Sequence, residues 1–229
     1  MTRILVAGDP HGDLKRFYEI FTVAIINSCD SIHVVGDFGY FPNLIECKDF
    51  LKGVSEYSLS VGIPVSFTDG NHENHEILNS FSKSGDIFVL PNIEWKYRGK
   101  YWNNFLSIGG AYSIDSYRRI LGRDYFREET ISYSDILKCD KTAEIVFSHD
   151  CPFPLIEDLV EETLKNISAL NSICETVCPK LLIHGHYHLF HDTEFEFGYG
   201  KCRIIGLDSN EGILENQCVI LDSGNVYRI

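Results

Sequence analysis

Five short clusters of residues able to bind cations each stand directly after an apolar run in this 229-residue chain. Asp9-Pro10-His11 follows Ile4–Gly8, Asp37 follows Ile32–Gly36, and Asn71-His72 follows Ile63–Gly70. His149 follows Glu144–Ser148, and His186-Tyr187-His188 follows Lys180–Gly185. The residue types define the chemistry. A carboxylate can bridge two cations, an imidazole binds borderline metals, and an amide oxygen adds a neutral ligand. Mixed nitrogen and oxygen donors without thiolate suit Mn, Fe, Zn or Ni rather than a purely structural, cysteine-rich zinc site. A single Asp-x-His is common by chance, and a lone strand-end histidine is ordinarily just hydrogen-bonded. Five such clusters in one context point to a polynuclear metal site.

The elements that must position these clusters follow from the same runs. Four to six residues rich in Val, Ile and Leu, ended by Gly or Ser, predict buried strands. In open α/β sheets the functional crevice lies beyond the carboxyl ends of the strands. The pattern predicts strands at Ile4–Ala7, Ile32–Val35, Val65–Thr68, Ile87–Leu90, Glu94–Tyr97, Phe105–Gly109, Ile145–Ser148 and Leu181–His184. Helices are expected at Leu14–Asn27, within Leu44–Ser60, near Glu73–Ser82, near Ser132–Leu137 and over roughly Leu155–Thr176. Alternating strands Phe190–Phe197, Arg203–Leu207 and Val219–Asp222 close the chain.

The order Asp9-x-His11, Gly36-Asp37, Gly70-Asn71-His72-Glu73, His149 and Gly185-His186-x-His188 resembles the five blocks of the calcineurin-like metallophosphoesterases. The resemblance implies a four-layer α/β/β/α sandwich with two facing mixed sheets. It implies that Asp9, His11 and His188 hold one divalent metal ion and that Asn71, His149 and His186 hold another. Asp37 bridges the two, and His72 faces the substrate without binding metal. Mn2+ is the favoured ion, with Zn2+, Fe2+/3+ and Ni2+ as further fits to the donors. The reaction expected is in-line displacement at phosphorus by a hydroxide held opposite Asp37, with His72 protonating the leaving oxygen. No Ser or Cys nucleophile is needed.

Departures from the better-known branches narrow the class. Protein phosphatases of this superfamily place Arg before Gly-Asn-His, where this chain has Asp69, and follow Gly-Asp with a downstream Asp-Arg-Gly. Here Asp37 is followed by Phe38-Gly39-Tyr40, which argues against a phosphoprotein substrate. Residues 109–115, Gly-Gly-Ala-Tyr-Ser-Ile-Asp, resemble a block of compact bacterial and phage members acting on phosphodiesters. The expected function is therefore a phosphodiesterase for small or nucleotide-like diesters. A phosphomonoesterase or nuclease on the same site, or a non-catalytic binding module, are the alternatives. Bis-aryl against mono-aryl phosphate turnover and a nucleic-acid digestion separate the enzymes. The full set of ligand types argues against the binding module.

Composition bounds the rest. Length suits one domain over residues 1–229, undivided by linkers or repeats. No stretch approaches the roughly 20 apolar residues of a membrane span. The N-terminus runs straight into strand and motif, so an intracellular protein is expected. Eight scattered cysteines without a CxxC pair read as free thiols. Cys151, two residues past His149, is a candidate for oxidation sensitivity, to be tested by thiol labelling with and without metal.

A formal charge of −13 disfavours a broad nucleic-acid surface. Residues 96–127 run the other way, with seven basic side chains against two acidic ones, a formal +5, and several aromatics. This segment reads as an insert overhanging the metal site, with Arg118 and Arg119 as substrate-binding candidates. Among the other histidines, His33 and His184 are expected to be hydrogen-bonded core residues, and His75 and His191 surface residues. Glu73 either orients a ligand turn or opens a helix.

Overall fold

The computed structural model describes residues 2–41, 44–81, 85 and 87–229, without the side chains of 44–46. Arg3–Ala7 (β1), Leu14–Ile26 (α1), Ser31–Val35 (β2), Leu44–Val61 (α2), Val65–Thr68 (β3) and His75–Ser80 (α3) form the alternating first part. Then come Ile87–Leu90 (β4), Ile93–Trp95 (β5), Lys100–Trp102 (β6), Phe105–Ile108 (β7), Tyr133–Lys138 (α4) and Ile145–Ser148 (β8). The chain closes with Glu161–Val177 (α5), Leu181–His184 (β9), His191–Phe197 (β10), Gly200–Gly206 (β11), Leu214–Gln217 (α6), Cys218–Asp222 (β12) and Asn225–Arg228 (β13).

The strands build two mixed sheets. The first has the order β13-β12-β1-β2-β3-β5-β4 and the second β10-β11-β9-β8-β7-β6. β1, β2 and β3 run parallel, as do β7, β8 and β9, so each set ends at one edge of its sheet. Strand alternation then sorts side chains between layers. In β1, Ile4 and Val6 join Ile145, Phe147, Leu181 and Ile183 of the second sheet in the core between the sheets. Leu5 and Ala7 turn the other way, onto Phe17, Ile20, Phe21 and Ala24 of α1. Those four recur at helical spacing on the buried face of α1, which Asp13 caps by accepting from Arg16 N at 3.0 Å. On the second sheet, Val146 and Leu182 face outward against Leu170, Ile173, Cys174 and Val177 of α5. The result is a four-layer α/β/β/α sandwich. No helix among the described residues is long and apolar enough to cross a membrane.

Several elements depart from the sequence pattern. Asn74, not Glu73, caps α3, and Ser82, the expected end of that helix, lies outside the described residues. α5 starts at Glu161, where Glu161 and Glu162 meet the positive helix end. β13 follows a two-residue turn with Ser223 and Gly224 both at positive φ, 54° and 83°, the geometry of a tight hairpin. Of the basic segment 96–127, residues 100–108 are β6 and β7 of the second sheet, leaving 109–127 outside the sheets.

α4 carries a pH prediction. Ser132 Oγ accepts from Asp135 N at 3.2 Å while Asp135 Oδ2 accepts from Ser132 N at 3.1 Å, a reciprocal capping box. Burial would raise the Asp135 carboxyl, but Arg98, Lys138 and Ser132 together bring it down to about 2. A depressed folded-state value stabilises above the ordinary 3.8 and is lost as pH falls toward 2. Asp135→Asn should therefore cost about 2 kcal/mol at neutral pH. Urea titrations of the two proteins should converge as pH drops below about 4.

Candidate metal centre

The five clusters occupy the turns that leave the carboxyl ends of β1, β2 and β3 in the first sheet and β8 and β9 in the second. Those turns are unusual in backbone. His11, Asp37, His186 and His188 hold φ of 45°, 46°, 68° and 50°, in the left-handed region that residues other than glycine rarely enter. Such strain persists where the surroundings over-determine it, and it concentrates at functional sites. His11 N donates to Asp37 O at 2.9 Å, and Gly185 N donates to His149 O at 3.2 Å, fastening the turns in pairs. Gly36, at φ 100°, leaves the second sheet's imidazole its place, since a Cβ there would lie 2.0 Å from His149 Nδ1.

The side chains converge. His188 Nε2 is 3.3 Å from Asp9 Oδ2 and 3.0 Å from His11 Nε2. His149 Nε2 is 3.4 Å from Asp37 Oδ2 and 3.0 Å from Asn71 Oδ1, while its Nδ1 donates to Val35 O at 2.9 Å. That last bond fixes the tautomer and leaves Nε2 facing the cluster. His186 N donates to Asp9 Oδ2 at 2.8 Å, and its ring centroid lies 5.0 Å from that of His149. Three sets of donor atoms lie mutually within 4.8 Å: Asp9, His11 and His188; Asp9, Asp37 and His149; and His11, Asp37 and His72. Each could hold a metal ion.

The electrostatics call for a cation. Asp9 is fully buried, and its Oδ1 has no hydrogen-bond partner. An orphaned buried carboxylate oxygen is costly unless a positive charge meets it. Burial would raise Asp37, yet His149, His72 and His11 hold it well below the usual carboxylate range. Conversely, burial would lower His149, but Asp37 and Asp9 push it up to about 10. A proton on His149 is thus retained where a metal ion could balance two buried carboxylates. The donor set fits divalent metal.

His72 stands at the exposed side of the cluster. Its backbone N donates to Asp37 Oδ1 at 2.9 Å, and its Nε2 lies 3.8 Å from Asp37 Oδ2. Arg119 Nη2 lies 3.2 Å from His72 Nε2, and a guanidinium can only donate, so that nitrogen carries the lone pair. Burial is the first cause that lowers His72, and Arg119 adds to it against Asp37. Asp115 holds Arg119 in turn at 2.8 Å. The structure brings Arg119 to the cluster but leaves Arg118 exposed, 5.1 Å over the Tyr117 ring.

Other expectations shift. Part of the segment's +5 excess is met from outside it: Lys96 pairs with Glu94, and Arg98 with Asp69 and Asp135. Asp69, standing where a phosphate-gripping Arg is absent, instead accepts from Arg98 Nε at 2.8 Å and Trp95 Nε1 at 3.1 Å. His75 is buried rather than on the surface, packed 6.0 Å from the Phe126 ring. His191 is half-buried. His33 is a hydrogen-bonded core residue as expected, bonded to Ser66 and Thr68 hydroxyls. Cys151 is fully buried and burial pushes its thiol up, which disfavours the oxidation expected for it. All eight cysteines are free thiols. Glu73 links two ligand turns by accepting from Gly39 N and Gly70 N.

Two supporting residues were not singled out in the sequence. Ser113 Oγ accepts from Asn71 Nδ2 at 2.9 Å, which aims Asn71 Oδ1 at His149. Ser113 N in turn donates to Glu129 Oε1 at 2.8 Å, and burial raises that carboxyl to about 7. The 109–115 block is the only sequence signal that touches this relay, through Ser113.

A family model described as calcineurin-like phosphoesterase matches residues 2–190. Comparison with curated proteins returns no match. Among solved structures, a Thermus thermophilus protein aligns at TM-score 0.62 and 15% identity, covering 100% of this chain and 98% of that one. A dimetal phosphatase from Danio rerio aligns at TM-score 0.59 and 14% identity, covering 96% of this chain and 91% of that one. At these identities the two structures show a shared fold.

Proposed function

The chain belongs to the calcineurin-like phosphoesterase family, metal-dependent hydrolases of phosphoesters, and from that premise we propose a phosphodiesterase with a dinuclear centre acting on small or nucleotide-like diesters. The observation that carries this reading is the set of overlapping donor groups built by Asp9, His11, Asp37, His72, His149 and His188, with the buried Asp9 Oδ1 among them lacking a hydrogen-bond partner. Asp9, His11 and His188 would hold one cation, Asn71, His149 and His186 the other, with Asp37 shared. Mn2+ is the favoured ion among the several that nitrogen and oxygen donors accept. When bound, two cations supply a hydroxide nucleophile at neutral pH and offset charge on the phosphoryl oxygens.

The chain's own residues do the remainder. His72, outside the proposed ligand set, protonates the leaving oxygen as the ester bond breaks. Arg119 exchanges its bond to neutral His72 Nε2 for a stronger one to an anionic phosphoryl oxygen, freeing that nitrogen to take up from solvent the proton it passes to the leaving oxygen. Arg98 is engaged by Asp69, Asp135 and two carbonyls, so it is not available to help grip a dianionic monoester. A single guanidinium at the cluster suits the monoanionic diester. Segment 109–127 and α3 also wall a cavity of about 550 Å3 lined by His75, Leu121, Phe126 and Arg127. Phe126 and Arg127 offer a ring and a cation to a nucleotide-like leaving group there, with Glu76 and Glu128 in the same wall.

Arg119→Ala should raise KM for bis-aryl phosphates about tenfold or more, since a hydrogen bond to a charged group contributes about 1.5–3 kcal/mol. Arg118→Ala should leave KM unchanged. Equal KM values across wild type and both variants would remove Arg119 from the reading. The functional proposal itself is tested by stripping the protein of metal and reloading it with Mn2+, Zn2+, Ni2+, Fe2+ or Mg2+. Each form is then assayed on bis-aryl and mono-aryl phosphates. Faster diester turnover is expected. Turnover of neither class by any loaded form would contradict it.

A further inference from the structure

On the outer face of the second sheet a separate group of donors comes together. Cys151 Sγ, a His184 nitrogen and a His191 nitrogen lie within 4.8 Å of one another, and the proposed phosphoesterase mechanism uses none of them. Cys151 follows β8, His184 ends β9, and His191 opens β10. Cys151 and His184 are fully buried, while His191 is half-buried and open to solvent on one side.

Two independent features prepare this group for a metal. His184 Nδ1 lies 2.9 Å from Gly185 O and must donate to it, which leaves the lone pair on Nε2. That carbonyl contact is the outer-shell bond that ordinarily orients a ligating histidine. His184 Nε2 then meets His191 Nε2 at 2.9 Å, so both rings offer the same nitrogen to one point beside the thiol. The second feature is Gly206, opposite His191 in the β10–β11 ladder. Its φ lies outside the left-handed region, so backbone conformation does not demand glycine there. The ring of His191 does, because a Cβ on residue 206 would lie 2.4 Å from His191 Cδ2 and 2.5 Å from Nε2.

We propose that Cys151, His184 and His191 form a mononuclear Zn2+ site distinct from the dinuclear centre. One thiolate and two imidazoles suit zinc, while the softer sulfur discriminates against Mn2+ and Mg2+. With Zn–N bonds of about 2.0–2.1 Å in tetrahedral geometry, the two nitrogens need to part by only about 0.4 Å. On binding, the thiol proton leaves to solvent, and the proton shared by the rings moves to His191 Nδ1. Each donor then meets the cation with a lone pair, and a water on the open side completes four ligands. The site would fasten three turns. Cys151 lies two residues from His149, His184 two from His186, and His191 three from His188. A zinc here would thus tie the second sheet's contribution to the centre into one unit.

Cobalt reports the site directly, because thiolate ligation gives a near-ultraviolet charge-transfer band that nitrogen and oxygen donors cannot produce. Metal-stripped protein titrated with Co2+ should show this band in the wild type and equally in Asp37→Asn, which alters only the other centre. Cys151→Ser and His191→Gln should both lose it. His191→Gln, at a half-buried strand end, guards against misfolding of the cysteine variant and should bind one zinc fewer per chain than wild type. Absence of the band in folded wild type would overturn the site, as would its persistence in either variant or unchanged zinc content in His191→Gln.

Discussion

Asp37→Asn is expected to lower kcat/KM by roughly a thousandfold or more, about 4 kcal/mol of transition-state stabilisation. The reason is the place of the carboxylate. Its Oδ2 lies 3.4 Å from His149 Nε2, 3.8 Å from His72 Nε2 and 4.0 Å from His11 Nδ1, at the meeting point of both proposed ligand sets. An amide keeps the shape and the contact from His72 N to Oδ1, but it is neutral and sets an NH2 group where Oδ2 faces the imidazoles, so it would offset no cation charge there. Metal content should fall from two ions per chain toward one, with the circular dichroism spectrum unchanged. Full metal content together with full activity would show that Asp37 does not bridge.

His72→Ala should separate the two kinds of role in the cluster. If His72 protonates the leaving oxygen, the variant keeps both metals and loses about 10²–10⁴ in kcat, the range of general acid catalysis. The loss should be smallest for aryl leaving groups that depart as stable anions and largest for alkyl or nucleoside leaving groups. The donor geometry makes the control essential, since His72 lies with His11 and Asp37 inside 4.8 Å. A variant that lost metal while its remaining holo fraction kept wild-type turnover would place His72 among the ligands instead.

What the sequence made legible was local. Each ligand cluster directly follows its own strand, so apolar run and metal-binding residue are read together, and all five fall in one structural context. The order of strands and helices was readable for the same reason, from apolar runs and from the helical spacing in α1, whereas the four-layer sandwich followed from the resemblance of the five clusters to the metallophosphoesterases. Long-range pairing was not. Nothing near Asp69 announces that Arg98, 29 residues on, will take its charge, and this contact also withdraws Arg98 from any substrate. Arg118 and Arg119 are adjacent in sequence, yet one 3-10 turn ending at Arg118 sends them to different places. His75 looked like a surface residue beside a polar motif, but the 109–127 segment covers it through Phe126. The hairpin of β13 was within reach of the sequence, since Ser223-Gly224 is a two-residue turn signal.

The most direct test of a dinuclear centre is anomalous diffraction from crystals of metal-stripped protein soaked in Mn2+, recorded at the manganese edge. The proposed centre predicts two peaks flanking the Asp37 carboxylate, one among Asp9, His11 and His188 and the other among Asn71, His149 and His186. A single peak in that cluster, or none there at full Mn2+ occupancy elsewhere, would contradict it.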